Sequence, residues 1–353
     1  MKKKRILITL LDWGLGHATR CIPVIQAFQE RDCEVCIATS GPALLLLRKE
    51  FPLLKYFELV SYDVRYSKNM SVVASIFWQL SKIRNAIARE HDQLKKILDE
   101  NNFDLVVSDN RYGCWSTRVK SIFICHQLNL PMPTGFGWFR PFANYFHNRL
   151  IKKFHQVWIP DLPGGAGLSG DMVATNEPST YLGTLSRFKK FPAELKYDVA
   201  VILSGPEPQR TIFEEIIRKQ LLQISLRVIL VRGVIENEIA WKQDSTILVV
   251  NFLDSHQLEQ VMNQSGIIVS RSGYSTIMDL AALGKRCILI PTPGQTEQEY
   301  LAKRLMTKRI CYSVSQQNFD LELALAVSDS FTGFSNIEFE NDLLTQALDD
   351  VLK

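Results

Sequence analysis

The chain has 353 residues, 46% of them apolar and 22% charged. That length suits two domains of about 150 residues, each with its own core, and the composition excludes a disordered, collagen-like or coiled-coil chain. The 41 Lys and Arg against 37 Asp and Glu leave a formal charge of +4, too little to imply a nucleic-acid partner without a local basic patch.

No apolar run reaches the roughly 20 residues of a membrane span. After the N-terminal KKKR, the run at 6–11 ends at Asp12, so no secretory signal is read and the chain is expected in the cytoplasm. The seven cysteines are an odd number and widely spread, unlike a disulfide framework. Cys33 and Cys36 form a CxxC, but in CEVCIA alternation sends positions three apart to opposite faces, so they read as buried strand cysteines. No second CxxC or paired His completes a metal site.

From the N-terminus, β-branched runs alternate with amphipathic segments: RILITL, a helix over 18–31, CEVCIAT, a helical stretch and KYFELV. This is the pattern of a parallel sheet wrapped by helices. Val72, Val73, Ile76, Phe77, Leu80, Ile83, Ile87, Leu94, Ile97 and Leu98 recur at spacings of three and four, predicting a long helix before the strand FDLVVS. SIFIC and QVWIP bring this half to six or seven strands.

Residues 160–170, PDLPGGAGLSG, read as a loop. A second αβ series follows, with strands DVAVILS, LRVILV, TILVV, GIIVS and RCILIP and helices over 209–222, 256–263, 275–283 and 298–308. Two doubly wound α/β sheets place a cleft between them at the carboxyl ends of their strands. Leu343, Leu344, Leu348, Val351 and Leu352 line one face of a helix predicted over 338–353, which packs back on a domain.

The chemistry sits in loops after strands. The first strand runs into Asp12, Trp13, Gly14, Leu15, Gly16 and His17, where small residues let a ligand approach and the following helix N-terminus favours negative charge. A dinucleotide fingerprint would need a third Gly and an acidic end to the second strand, which ends in Thr39-Ser40; there is no GK[ST] for a P-loop. GIIVS leads into Arg271, Ser272, Gly273, Tyr274, Ser275 and Thr276 and then a helix, the arrangement of a diphosphate seat. Asp279 follows one turn beyond Ser275, either a sugar-hydroxyl ligand or a solvated carboxylate near a helix start. The next strand ends in PTPGQTEQ, which carries Glu297 and Gln298.

GLGH, RSGYSTIMDL and PTPGQTEQEYLA resemble the two-domain GT-B glycosyltransferases of the MurG-like kind, whose C-terminal halves form the family 28 transferase domain. The resemblance covers nearly the whole chain and is specific over 199–302. It implies an N-terminal acceptor-binding domain at 1–186, a C-terminal nucleotide-sugar-binding domain at 187–334, both Rossmann-like, and a final helix at 335–353 returning to the first domain. It also implies a UDP-sugar donor, with Ser272, Gly273, Tyr274, Ser275 and Thr276 holding the diphosphate and Asp279 the ribose. Glu297 and Gln298 would face the donor sugar, Phe252 and Leu253 bracket the uracil, and Ser204, Gly205 and Arg187 complete the phosphate contacts. Gly14 and Gly16 belong to the acceptor loop. Asp279 stands where Glu is usual, and Leu15 where Gly is usual.

His17 taken alone reads as a capping or core histidine; for inverting transfer it is the candidate base, because imidazole titrates near neutral pH. Asp109, at the end of FDLVVS, reads as its orienting carboxylate or as a turn-forming Asp in SDN. No cofactor or metal is expected. A UDP-sugar hydrolase or a non-catalytic nucleotide-sugar-binding subunit would use the same donor site. Between 133 and 153, Phe136, Trp138, Phe139, Phe142, Tyr145 and Phe146 interleave with Arg140, Arg149, Lys152 and Lys153. They read either as core packing on the first sheet or as a peripheral contact with an anionic bilayer bearing a lipid-linked acceptor.

Overall fold

A computed structural model describes residues 3–62, 80–133, 135–164, 167–175, 177–234, 241–244, 246–335 and 342–353. Val72, Val73, Ile76 and Phe77 of the predicted long helix lie outside them. The chain divides into two units, one of Met1–Leu185 with Glu340–Lys353 and one of Ser186–Phe339.

The first unit is a seven-stranded parallel sheet of β1 (Arg5–Leu10), β2 (Glu34–Thr39), β3 (Lys55–Glu58), β4 (Leu105–Asp109), β5 (Lys120–Ile124), β6 (Gln156–Ile159) and β7 (Ser179–Tyr181). Their spatial order is β3-β2-β1-β4-β5-β6-β7. Strands buried on both faces explain the near-continuous apolar runs that betrayed them in the sequence. α1 (Gly16–Glu30), α2 (Gly41–Glu50), α3 (Leu80–Glu100) and α4 (Arg140–Ile151) cover the sheet. Leu94, Ile97 and Leu98 of α3 pack on Leu7, Cys36 and Val106. Cys36 is buried in β2, whereas Cys33 precedes the strand and is half-buried, so only one of the pair is the core cysteine expected of both.

The second unit carries β8 (Tyr197–Ile202), β9 (Val228–Val231), β10 (Trp241–Asp244), β11 (Ile247–Val250), β12 (Ser265–Ser270), β13 (Arg286–Leu289) and β14 (Tyr312–Ser313) in the order β10-β11-β9-β8-β12-β13-β14. Every pair is parallel except β10 with β11. α5 (Gln209–Leu221), α6 (Ser255–Asn263), α7 (Tyr274–Ala282), α8 (Thr296–Thr307) and α9 (Leu321–Ser328) follow. Phe213 and Ile217 of α5 and Leu321 of α9 close the core over Val201, Leu230 and Val269. α10 (Asp342–Leu352) belongs to the first unit, where Arg31 Nε donates to Asp349 at 2.7 Å. Both sheets are therefore doubly wound, with strand order reversing at β1/β4 and at β8/β12, the positions where such sheets bind ligands.

Candidate active site

In the first unit, the β1/β4 register pairs Leu10 with Asp109. The chain leaves β1 through Gly14 at φ +74°, a left-handed conformation that glycine adopts without a Cβ penalty. It then starts α1 at Gly16, with no side chain capping the helix at Leu15. That turn puts His17 in the first turn of α1 beside the end of β4. His17 Nδ1 lies 2.7 Å from Asp109 Oδ1.

Arg20, one turn further along α1, completes the arrangement. Its Nε donates to Asp109 Oδ2 and its Nη2 to Oδ1, a bidentate grip on a fully buried carboxylate. Its Nη1 lies 2.9 Å from Nδ1 of His126, just beyond β5, and its Nη2 lies 2.8 Å from His17 Nδ1. Cys21 Sγ donates to Asp109 Oδ2 at 3.4 Å. Burial alone would raise the Asp109 pKa, but the charges of Arg20 and His17 and their hydrogen bonds outweigh it and hold the carboxyl well below the usual carboxylate range. For His17, burial and then the Arg20 charge lower the pKa, and Asp109 offsets them only in part. The imidazole is consequently neutral at neutral pH and able to accept a proton.

In the second unit, the loops after β8, β12 and β13 converge. Gly205, at φ +104°, stands where a Cβ would lie 3.5 Å from Thr292 Oγ1, placing the loop after β8 against that after β13. Buried Arg271 ties them together: Nη2 donates to the Gln209 carbonyl at 2.8 Å and to Gln316 Oε1 at 2.6 Å, and its guanidinium lies over Phe213. Burial brings its pKa down to about 10. Gly273 starts α7 in an extended conformation, and no side chain caps the helix there, so this terminus retains its preference for an anion.

Asp279 lies on α7, one turn past Ser275. Ser186 Oγ donates to its Oδ1 at 2.6 Å, and Arg187 Nη1 donates to Ser255 Oγ at 2.8 Å. Burial pushes the Asp279 pKa up to about 6 despite the nearby Arg187 charge and the Ser186 hydrogen bond. Phe252 and Leu253 follow β11, ahead of an Asp254–Gln257 capping box that opens α6.

Two expected side chains are engaged within the protein. Ser272 is fully buried, and its Oγ donates to the Gln298 carbonyl at 2.8 Å. Gln298 accepts from the Thr292 amide at 2.8 Å and donates to Gln295 Oε1 at 2.6 Å. Both brace the loops after β12 and β13. Tyr274 is buried in the core, leaving Ser204, Ser275, Thr276 and Glu297 as the more accessible polar side chains of the set. Sequence reasoning missed Arg20, His126, Ser186 and Thr292; the only local signal was that Arg20 stands three residues after His17, on one helical face.

The aromatic run settles differently from a buried core. Phe136, Trp138, Phe142, Tyr145 and Phe146 are exposed, Trp138 to 77%. Along α4 and the turn before it, Phe139, Phe142 and Phe146 stack in series at 5.0 and 4.7 Å between ring centres. Arg140 and Arg149 are exposed beside them, while Lys152 pairs with Glu177 and Lys153 lies over Trp115. No helix among the described residues is long and apolar enough to cross a membrane.

Residues 209–341 match the glycosyltransferase family 28 C-terminal domain. Over 341 residues the chain is 29% identical to a UDP-N-acetylglucosamine--N-acetylmuramyl-(pentapeptide) pyrophosphoryl-undecaprenol N-acetylglucosamine transferase of Histophilus somni, covering 91% of this chain and 88% of that one. A 63-residue stretch is 40% identical to the transferase of the same name from Methylobacterium radiotolerans, 17% of each chain. Among solved structures, MurG of Acinetobacter baumannii superimposes with a TM-score of 0.61 at 12% identity over 99% of each chain. The glycosyltransferase SnogD of Streptomyces nogalater gives 0.68 at 14% over the full length of both.

Proposed function

We propose that the chain is a glycosyltransferase of the family 28, MurG-like kind that moves a hexose or N-acetylhexosamine from a UDP-sugar to an acceptor hydroxyl with inversion at the anomeric carbon. The observation that carries the chemistry is His17 Nδ1 against Asp109, which leaves Nε2 as the nitrogen that takes a proton. The acceptor oxygen forms its bond to the anomeric carbon, the bond to the diphosphate oxygen breaks with its electron pair going to UDP, and the acceptor proton passes to His17 Nε2.

The donor belongs to the second unit. The N-terminus of α7, with the hydroxyls of Ser275 and Thr276, the loop at 204–205 and Arg187, takes the diphosphate. Asp279 takes the ribose, residues 252–253 flank the uracil, and Glu297 meets the sugar. Ser272 and Gln298 hold these loops in place. A well-placed donor in a dry site contributes about 3 kcal/mol to stabilising a developing negative charge. Several protein donors therefore serve the departing UDP without a metal, and transfer is expected to persist in EDTA.

The acceptor is lipid-linked and is reached at the inner face of the cytoplasmic membrane. Support comes from the exposed aromatic and basic surface of α4, whose chemistry suits an anionic interface, and from the pyrophosphoryl-undecaprenol acceptor in the name of the Histophilus somni relative. The contact is peripheral.

Incubation with a panel of UDP-sugars, with and without a polyprenyl-diphosphate-linked sugar, tests this reading. Glycoside product only with acceptor supports it; rapid free sugar without acceptor identifies a hydrolase, and UDP-sugar binding without turnover a binding subunit.

A further inference from the structure

Two contacts make opposite demands on one nitrogen. His17 Nδ1 lies 2.7 Å from Asp109 Oδ1, which can only accept, and 2.8 Å from Arg20 Nη2, which can only donate. The shorter contact is to a charged acceptor and is the stronger hydrogen bond, so the proton resides on Nδ1 and is shared with Asp109. Arg20 then stands beside the ring as a bare positive charge. On its other side Nη1 donates to His126 Nδ1, which puts the His126 proton on Nε2. Asp109 and Arg20 thus set the two imidazoles in opposite tautomers.

We propose that Arg20 is a positioning residue: by gripping both Asp109 oxygens it holds the carboxylate in place against His17 Nδ1–H, and as a positive charge beside the ring it keeps the imidazole in its neutral, proton-accepting form. The groups acting on the ring are Arg20 from α1, Asp109 from β4 and His126 from the chain after β5, while Cys21 and Cys125 act on Arg20. Asp109 orients the imidazole, but Arg20 offsets its charge, so the carboxylate does not stabilise an imidazolium as a lone buried partner would. The inference rests on the base role given to His17, yet its direct test needs no glycosyl transfer.

Histidine side-chain NMR on the full-length protein reads both tautomer and titration, and H17Q identifies the His17 signals among the six histidines. In wild type, His17 is expected as the Nδ1–H tautomer, titrating below the ordinary imidazole range. In R20Q, the buried carboxylate faces the ring alone, and the midpoint should rise by about one to three pH units; R20K should reverse part of that rise. The acid limb of the transfer pH profile should move the same way. An R20Q midpoint equal to wild type, or a wild-type His17 found as the Nε2–H tautomer, would overturn the proposal. Should R20Q fail to fold, D109N serves instead: with Arg20 uncompensated beside the ring, the midpoint should fall below wild type, and a rise would refute the proposal. Transfer that survives in H17Q defeats the base role while leaving any R20Q shift intact, so the two failures are distinguishable.

Discussion

Ser186, the first residue of the second unit, donates its hydroxyl hydrogen to Asp279 Oδ1 at 2.6 Å across 93 positions of sequence. The bond engages one oxygen of a carboxylate that also feels the Arg187 charge, and the other is the one proposed to meet the ribose. Burial has raised its pKa from 3.8 to about 6. An ionised carboxylate is the better acceptor, so UDP affinity should fall as pH drops through about 6, and Asp279→Asn should remove that dependence. Calorimetric titration at pH 5 and pH 8 checks both.

The same shift carries a sign for stability. A folded-state pKa above the unfolded value means the protonated form favours the fold, so this stabilisation is complete below pH 3.8 and disappears as pH rises through about 6. Asp279→Asn should therefore be more thermostable than wild type above pH 6, the difference shrinking toward pH 4. Melting curves across that range report it.

His17 is shifted the other way by burial and by Arg20. A base works only when neutral, and a lowered pKa delays its protonation to more acid pH. The acid limb of kcat/KM should therefore lie below the ordinary imidazole midpoint of about 6.5. A limb at or above that value would contradict the described electrostatics.

The architecture was legible because parallel strands buried on both faces leave continuous β-branched runs, and helices between them leave a period of 3.6. β14, with two residues, and β10, an antiparallel strand at the sheet edge, carry too little pattern to be read. The His17 and Asp109 positions were legible as strand ends and loop starts. Arg20 and His126 were not, since they meet only because β1, β4 and β5 are neighbours in the sheet, 106 residues separating the two in sequence. The internal bonds of Ser272 and Gln298 were not legible either, because a polar side chain in a loop after one strand meets the loop after the next only in the folded sheet.

Gly205 is held at φ +104° with its missing side chain directed toward Thr292. An alanine there meets backbone strain of about 1–3 kcal/mol. Gly205→Ala should lower the melting temperature and weaken UDP binding together, as denaturation and calorimetry would show; wild-type UDP affinity in the variant would detach this loop from the donor.

The exposed aromatics of α4 and its preceding turn predict binding to anionic vesicles at low salt, weakened by added salt. Replacing Trp138 and Phe142 by Ser should reduce sedimentation with vesicles, each fully inserted ring contributing about 1.5–3 kcal/mol. Equal sedimentation of variant and wild type would place the contact elsewhere, and no binding by either would favour a soluble acceptor.

The most direct measurement is the rate and stereochemistry of transfer from a UDP-sugar to a polyprenyl-diphosphate-linked sugar, comparing wild type with His17→Gln. The expected result is an inverted anomeric configuration, a kcat reduced by about 10²–10⁴ in the variant and an unchanged KM for the donor. Retention of configuration, or wild-type turnover by His17→Gln, would contradict the mechanism.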